Sequence, residues 1–154
     1  MTTETQPING QENLDQISNS ESLALSLFYN AFNKRSMPLM EQSWLNTDEI
    51  SMDNPIGGIR RGWDEIKTGY NKIFNGKAQV YVEFYDYTIH KTDAMFFATG
   101  RERGYFKTEE NEIPLAIRTT RIFILHNGDW KQIHHHGSID NPDLLKIYQE
   151  TLLK

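Results

Sequence analysis

The chain has 154 residues, 38% of them hydrophobic and 12% aromatic, with 21 acidic side chains against 16 Lys and Arg, and no cysteine. That length fits one ordinary domain with a packed core, and the apolar content excludes wholesale disorder. The net charge of -5 argues against a general nucleic-acid binder, which needs a basic face to neutralise phosphate.

The missing cysteines exclude disulfides, thiolate metal sites and cysteine nucleophiles, and suit a cytoplasmic protein. No apolar run approaches the length of a membrane span, and the start of the chain has neither a basic nor an apolar signal region, so no membrane partner is expected.

Residues 1–17 are rich in Thr, Gln, Asn and Glu and read as a flexible N-terminal tail, because so little apolar surface does not offset ordering entropy. Order is expected from Ser18, where Ser18 and Glu21 have the spacing of a capping box. Ala24, Leu27, Phe28, Ala31 and Phe32 recur at helical spacing down to Lys34. Pro38 can open a second short helix leading to Trp44. Residues 49–52 suggest a short strand, broken by the turn residues Asp53-Asn54-Pro55-Ile56-Gly57-Gly58. Trp63, Ile66, Tyr70, Ile73 and Phe74 then make a second helical stripe, which Asn75-Gly76 closes with a left-handed cap.

The period changes after Gly76. Residues 80–90, 94–107, 113–126 and 129–136 are aromatic and β-branched and read as strands, with Asn127-Gly128 a strong hairpin signal between the last two. Residues 139–154 form an appended C-terminal helix, capped near Asp140-Asn141-Pro142 and carrying Leu144, Leu145, Tyr148 and Leu152 on one face. Helices followed by consecutive antiparallel strands indicate an α+β domain over residues 18–138, a cone-shaped curved antiparallel sheet with the N-terminal helices on its concave face. Such a cone encloses a pocket, the default binding-site hypothesis.

Several strings over residues 18–138 resemble the nuclear-transport-factor-like superfamily, which includes the SnoaL-like and ketosteroid-isomerase-like proteins. They are Leu27-Phe28-Tyr29-Asn30-Ala31-Phe32, the Asp53-Asn54-Pro55-x-Gly57 turn and Arg60-x-Gly62. More specific are Thr120-Arg121-Ile122-Phe123, Asn127-Gly128-Asp129-Trp130 and Ile133-His134-His135-His136-Gly137-Ser138. The C-terminal half is also similar to the association domain of calcium/calmodulin-dependent kinases, in which an arginine on each of two adjacent strands points into the pocket. The resemblance puts Arg101 and Arg121 at those positions, and implies a homodimer with a small-molecule ligand and no obligatory cofactor. Ketosteroid isomerases carry a general-base aspartate before the proline of the turn, where this chain has Asn54, with Asp53 one residue earlier.

Arg101 and Arg103 share one face of a strand, and Arg121 shares a face of the next strand with Thr119 and Phe123. If both faces point inward, two guanidiniums converge and suit a carboxylate. The alternative is cross-strand pairing on the sheet surface with Glu102, Glu83 or Asp86. His134 and His136 share a face and His135 takes the other. With no third ligand evident from spacing, an acid–base role beside Asp53 is expected ahead of a metal site, the alternative being structural hydrogen bonds beside Trp130 or at a subunit contact. Trp44, Trp63 and Tyr85 are candidate pocket walls, with Asn54 at the turn. Three functions remain open: a small-molecule binder for an apolar ligand able to carry a carboxylate; an enzyme using Asp53, His134 and His136 for proton transfer, cyclisation or hydration; and an oligomerisation domain.

Overall fold

The computed structural model describes residues 2–4 and 6–152, with side-chain surroundings for residues 6–151. In chain order the elements are β1 (Thr2–Glu4), α1 (Ser20–Asn33), α2 (Met37–Ser43), β2 (Ser51–Asp53), β3 (Arg60–Arg61), α3 (Gly62–Phe74), β4 (Gln79–Lys91), β5 (Met95–Lys107), β6 (Glu112–His126), β7 (Asp129–Ser138) and α4 (Pro142–Leu152). The fold is α+β, with one open sheet in the order β1-β4-β5-β6-β7-β2-β3. All neighbours run antiparallel except β2 and β7, so the sheet is mixed, not purely antiparallel as expected from sequence. The exception follows from connectivity: a chain that leaves β2 through two glycines and α3 is free to return alongside in either sense.

Asn127 and Gly128 both have positive φ, as a two-residue hairpin turn between twisted strands requires. Two register shifts bend the sheet, one between Tyr85 and Thr88 in β4 and one opposite Ile122 and Phe123 in β7. Its inner face carries Val82, Phe84, Phe96, Ala98, Phe106, Leu115, Ile117 and Phe123, all buried. Against it α1 lays Leu25, Phe28 and Tyr29, while Leu27 of the expected stripe turns outward. Pro38 sits in the first turn of α2, as expected.

Three local expectations are corrected. Asn19, not Ser18, caps α1 by accepting from the Ser22 amide, and Glu21 pairs with Lys91 instead of closing a capping box. The cap of α3 is Asn75 in right-handed geometry, and Gly76 has no positive φ. Residues 6–17 do not stand off as a tail: Ile8 is 5% exposed and exchanges both backbone hydrogen bonds with Phe84. Glu12 accepts from Ser26 on α1, and Asn33 of α1 donates to the Asn9 carbonyl. One buried isoleucine and a backbone ladder supply what average composition does not register. Of the expected tail, Met1 and Thr5 lie outside the described residues; of the expected C-terminal helix, so do Leu153, Lys154 and the Leu152 side chain.

Candidate functional site

Where β5, β6 and β7 lie side by side, alternation turns Glu102, Thr119, Arg121 and His135 to the inner face. Glu102 and Arg121 form an ion pair at 3.0 Å with both side chains about 95% buried. Such a pair holds only if its remaining hydrogen-bonding capacity is met. Here most of it is met: Tyr29 donates to Glu102 Oε2 at 2.5 Å and Thr119 to Oε1 at 2.8 Å. Arg121 donates from Nε to the Tyr29 oxygen at 3.2 Å and from Nη1 to Gln132 Oε1 at 2.8 Å. Its guanidinium lies 3.8 Å over the Phe28 ring, a cation–π contact from the helix above.

The electrostatics follow from burial. Burial opposes the charge on Arg121, but the facing Tyr29 and Glu102 oxygens hold it cationic, with its pKa raised. Burial first, then the adjacent carboxylate, pushes the Tyr29 hydroxyl well above its ordinary value, so it remains a donor. Burial, with the Arg121 charge beside it, drives His135 well below the usual histidine range, so its imidazole is neutral. The Thr119 hydroxyl proton goes to Glu102, which leaves its oxygen to accept from His135 Nε2 at 3.3 Å. His135 Nδ1 therefore carries a buried lone pair, and it has no partner among the described residues.

This network forms the polar end of a cavity of about 550 Å³. The walls are mostly apolar: Phe28 and Phe32 from α1, Ile73 from α3, and Val82, Leu115 and Ile117 from the sheet. The C-terminal helix covers part of it, with Tyr148 lining the space and packing edge-on against Phe106 at 5.9 Å. Burial pushes the Tyr148 hydroxyl up to about 12. Gln149 ties that helix to the Ile56 carbonyl beyond β2.

Of the residues expected at the pocket, Arg121 and Asn54 line it. Arg101 does not. It lies half-exposed on the outer face and pairs with Asp86 at 3.4 Å, while Arg103 pairs with Glu83 and covers the Tyr85 ring at 4.1 Å. Tyr85 is thus an outer-face residue as well. Trp44 is fully buried in the core against Tyr70, and Trp63 is buried at the start of α3; neither lines the cavity. Glu102, Tyr29 and His135 are the inward residues that sequence reasoning passed over.

The acid–base candidates also lie outside the cavity. Parallel pairing of β2 with β7 sets Ser51 beside His134 and Asp53 beside His136. Asp53 Oδ2 meets His136 Nδ1 at 2.9 Å, and Ser51 engages His134 Nδ1 through its hydroxyl at 2.8 Å and its carbonyl at 3.1 Å. Met52 and His135, between them in sequence, take the inner side. Asp53 and His136 are thus brought together as expected, but on the outer face, where they do not reach a cavity-bound molecule.

The comparisons agree with this architecture. Residues 23–142 match the model of the SnoaL-like domain. The F-box protein SKIP8 of Arabidopsis thaliana is 23% identical over 136 residues, covering 86% of this chain. The match takes in only 55% of that longer protein's own length. A nuclear transport factor 2-like superfamily protein from Salmonella enterica superposes with a TM-score of 0.67 at 20% identity, over 77% of this chain and 86% of that one. A protein named for the calcium/calmodulin-dependent protein kinase type II association domain, from Thiobacillus denitrificans, gives 0.63 at 19% identity, over 79% and 96%. No helix among the described residues is long and apolar enough to cross a membrane. With 120 of its 154 residues matched and the nuclear transport factor 2-like fold in place, the chain belongs to the SnoaL-like family.

Proposed function

We propose that this protein binds a small, largely apolar molecule bearing one oxygen head group, seated against Arg121 and His135. The observation that carries the reading is the 550 Å³ cavity, apolar along its walls and closed at one end by a buried polar cluster. That volume falls within the usual range of small-molecule sites. The head group is best a hydroxyl. It donates to the free lone pair of His135 Nδ1 and accepts from an Arg121 N–H not used by Tyr29, Gln132 or Glu102. A carboxylate fits less well than the sequence suggested, because Glu102 already offsets the Arg121 charge and a second anion meets repulsion there. The family resemblance extends the reading to a homodimer, and the absence of cysteine suits a reducing, cytoplasmic setting.

The test is displacement of a fluorescent apolar probe by matched alkyl and aryl alcohols and carboxylates, on wild type and on Ile117→Trp, which fills the cavity from the β6 wall. Alcohols displacing the probe more tightly than their matched acids, with no displacement from the folded variant, is the expected result. Carboxylates binding ahead of alcohols, or Ile117→Trp binding as wild type does, overturns it.

A further inference from the structure

The parallel β2–β7 pair brings together two histidines and a carboxylate that the cavity does not use. Asp53, His134 and His136 each offer one ligand atom, and these atoms all lie within 4.8 Å of one another. Alternation alone puts His134 and His136 on one face and names no third ligand. Strand pairing supplies it, because Asp53 is the direct cross-strand partner of His136.

We propose that Asp53, His134 and His136 form a binding site for a divalent first-row transition ion of the zinc type. Two imidazoles and one carboxylate are a donor set such ions accept, with the fourth position left to water. Three details favour it over an incidental cluster. Ser51 occupies His134 Nδ1 with its own carbonyl and hydroxyl, which fixes the ring as outer-shell partners of a ligating histidine do and leaves Nε2 to the ion. Asp53 binds His136 through Oδ2, while its Oδ1 is buried with no hydrogen-bond partner among the described residues, so the carboxylate has coordinating capacity to spare. His136 is more than half exposed, so its ring can swing as the donors close to the roughly 3.3 Å separations of a tetrahedral site. Water reaches the remaining coordination position from the same side.

The site is set by strand register, not by a loop. Asp53 and the two histidines stand on facing strands of one sheet, and Met52 and His135 anchor those strands from the opposite side in the core. Little backbone movement is then needed on binding. His136 also lines a neighbouring outer groove with Arg118 and the Arg101–Asp86 pair, so its ring stands at an open surface.

The experiment uses tag-free, chelator-washed full chain titrated with cobalt(II), whose visible absorption reports tetrahedral coordination, followed by displacement with zinc(II). Wild type is expected to take up one equivalent with intense visible bands that zinc abolishes. Asp53→Asn, close in shape to the native residue, and His136→Ala, at an exposed position, should each lower affinity at least tenfold with the far-ultraviolet dichroism unchanged. Ser51→Ala should lower it less, and His126→Ala, at the far hairpin, not at all. Absence of cobalt bands in wild type overturns the site, as does uptake unchanged in both Asp53→Asn and His136→Ala. Displacement of a cavity probe in the same samples is expected to be unaffected, so the two sites stand or fall separately.

Discussion

His135 makes the stability of the whole fold respond to mild acid. In the folded chain it is buried and held neutral, first by desolvation and then by the Arg121 charge, so its pKa lies well below the ordinary 6.5. In the unfolded chain it titrates near that ordinary value. Between the two pKa values the unfolded state binds one more proton than the folded state. Stability is therefore full above about pH 6.5 and falls as pH drops below it, with a slope of at most about 1.4 kcal/mol per pH unit. For an imidazole still neutral in the folded chain at pH 5, the loss from neutrality to pH 5 integrates to about 2 kcal/mol. In a domain of this size that is a fall in Tm of roughly 4–8 °C. Among the other described groups with a resolved shift, only Glu21 titrates in acid, and its contribution is lost below pH 4.5, outside this window. The assay is urea unfolding of wild type and His135→Gln at pH 8, 7, 6 and 5. The glutamine variant loses some stability at every pH but should shed the extra fall below pH 6.5. Parallel stability curves for the two proteins over pH 6.5 to 5 would refute the reasoning.

Two further perturbations test the rest of the architecture. Glu102→Gln leaves Arg121 charged and buried without its partner and should cost about 3–5 kcal/mol, whereas the paired change Glu102→Leu with Arg121→Met should cost clearly less, measured by urea unfolding. Ile8→Ala should cost about 3 kcal/mol if residues 6–17 dock as the structure has them. A cost under about 0.5 kcal/mol, the usual surface value, would return that segment to the tail expected from composition. Gly10 adds a reason to expect docking: its φ is +90, and a Cβ there would stand 2.2 Å from the Asn30 backbone of α1.

The order of the longer elements was legible because each carries its own period, helical stripes before Gly76 and alternation after it, whereas β1 and β3, three and two residues long, carry none and were not expected. The strand limits and the Asn127-Gly128 hairpin came out close to the observed ones for the same reason. What periodicity does not carry is which face of each strand points inward, and every misplaced strand residue traces to that; Trp44 at the end of α2 and Trp63 in α3 pack into the core instead. Arg121 sits between Thr119 and Phe123 on a face that otherwise carries Ile113, Leu115 and Ile117, so its inward direction was readable. Arg101 was then assigned inward by resemblance to a two-arginine pocket, against the register of its own hairpin.

That register turns on one residue: the strand limits expected from sequence, 94–107 and 113–126, leave a connection of five residues, which would put Arg101 on the face of Arg121, whereas the structure has four. The β5–β6 connection runs from Thr108 to Asn111, with Lys107 paired to Glu112. A connection of four residues pairs odd-numbered positions on one strand with even-numbered positions on the other. Arg121 must then share its face with Ala98, Gly100 and Glu102, and Arg101 and Arg103 must face away. Glu102 is thereby the partner of Arg121 by topology before any distance is measured. The histidines were beyond this kind of reasoning. Gln132 faces inward, and unbroken alternation would turn His134 and His136 inward with it. The register shift after Gln132 inserts Ile133, reverses the parity, and gives the interior His135 instead. One inserted residue thus separates the two chemistries of the sheet, a single neutral imidazole beside the buried ion pair and two imidazoles facing Asp53 and Ser51 on the other side.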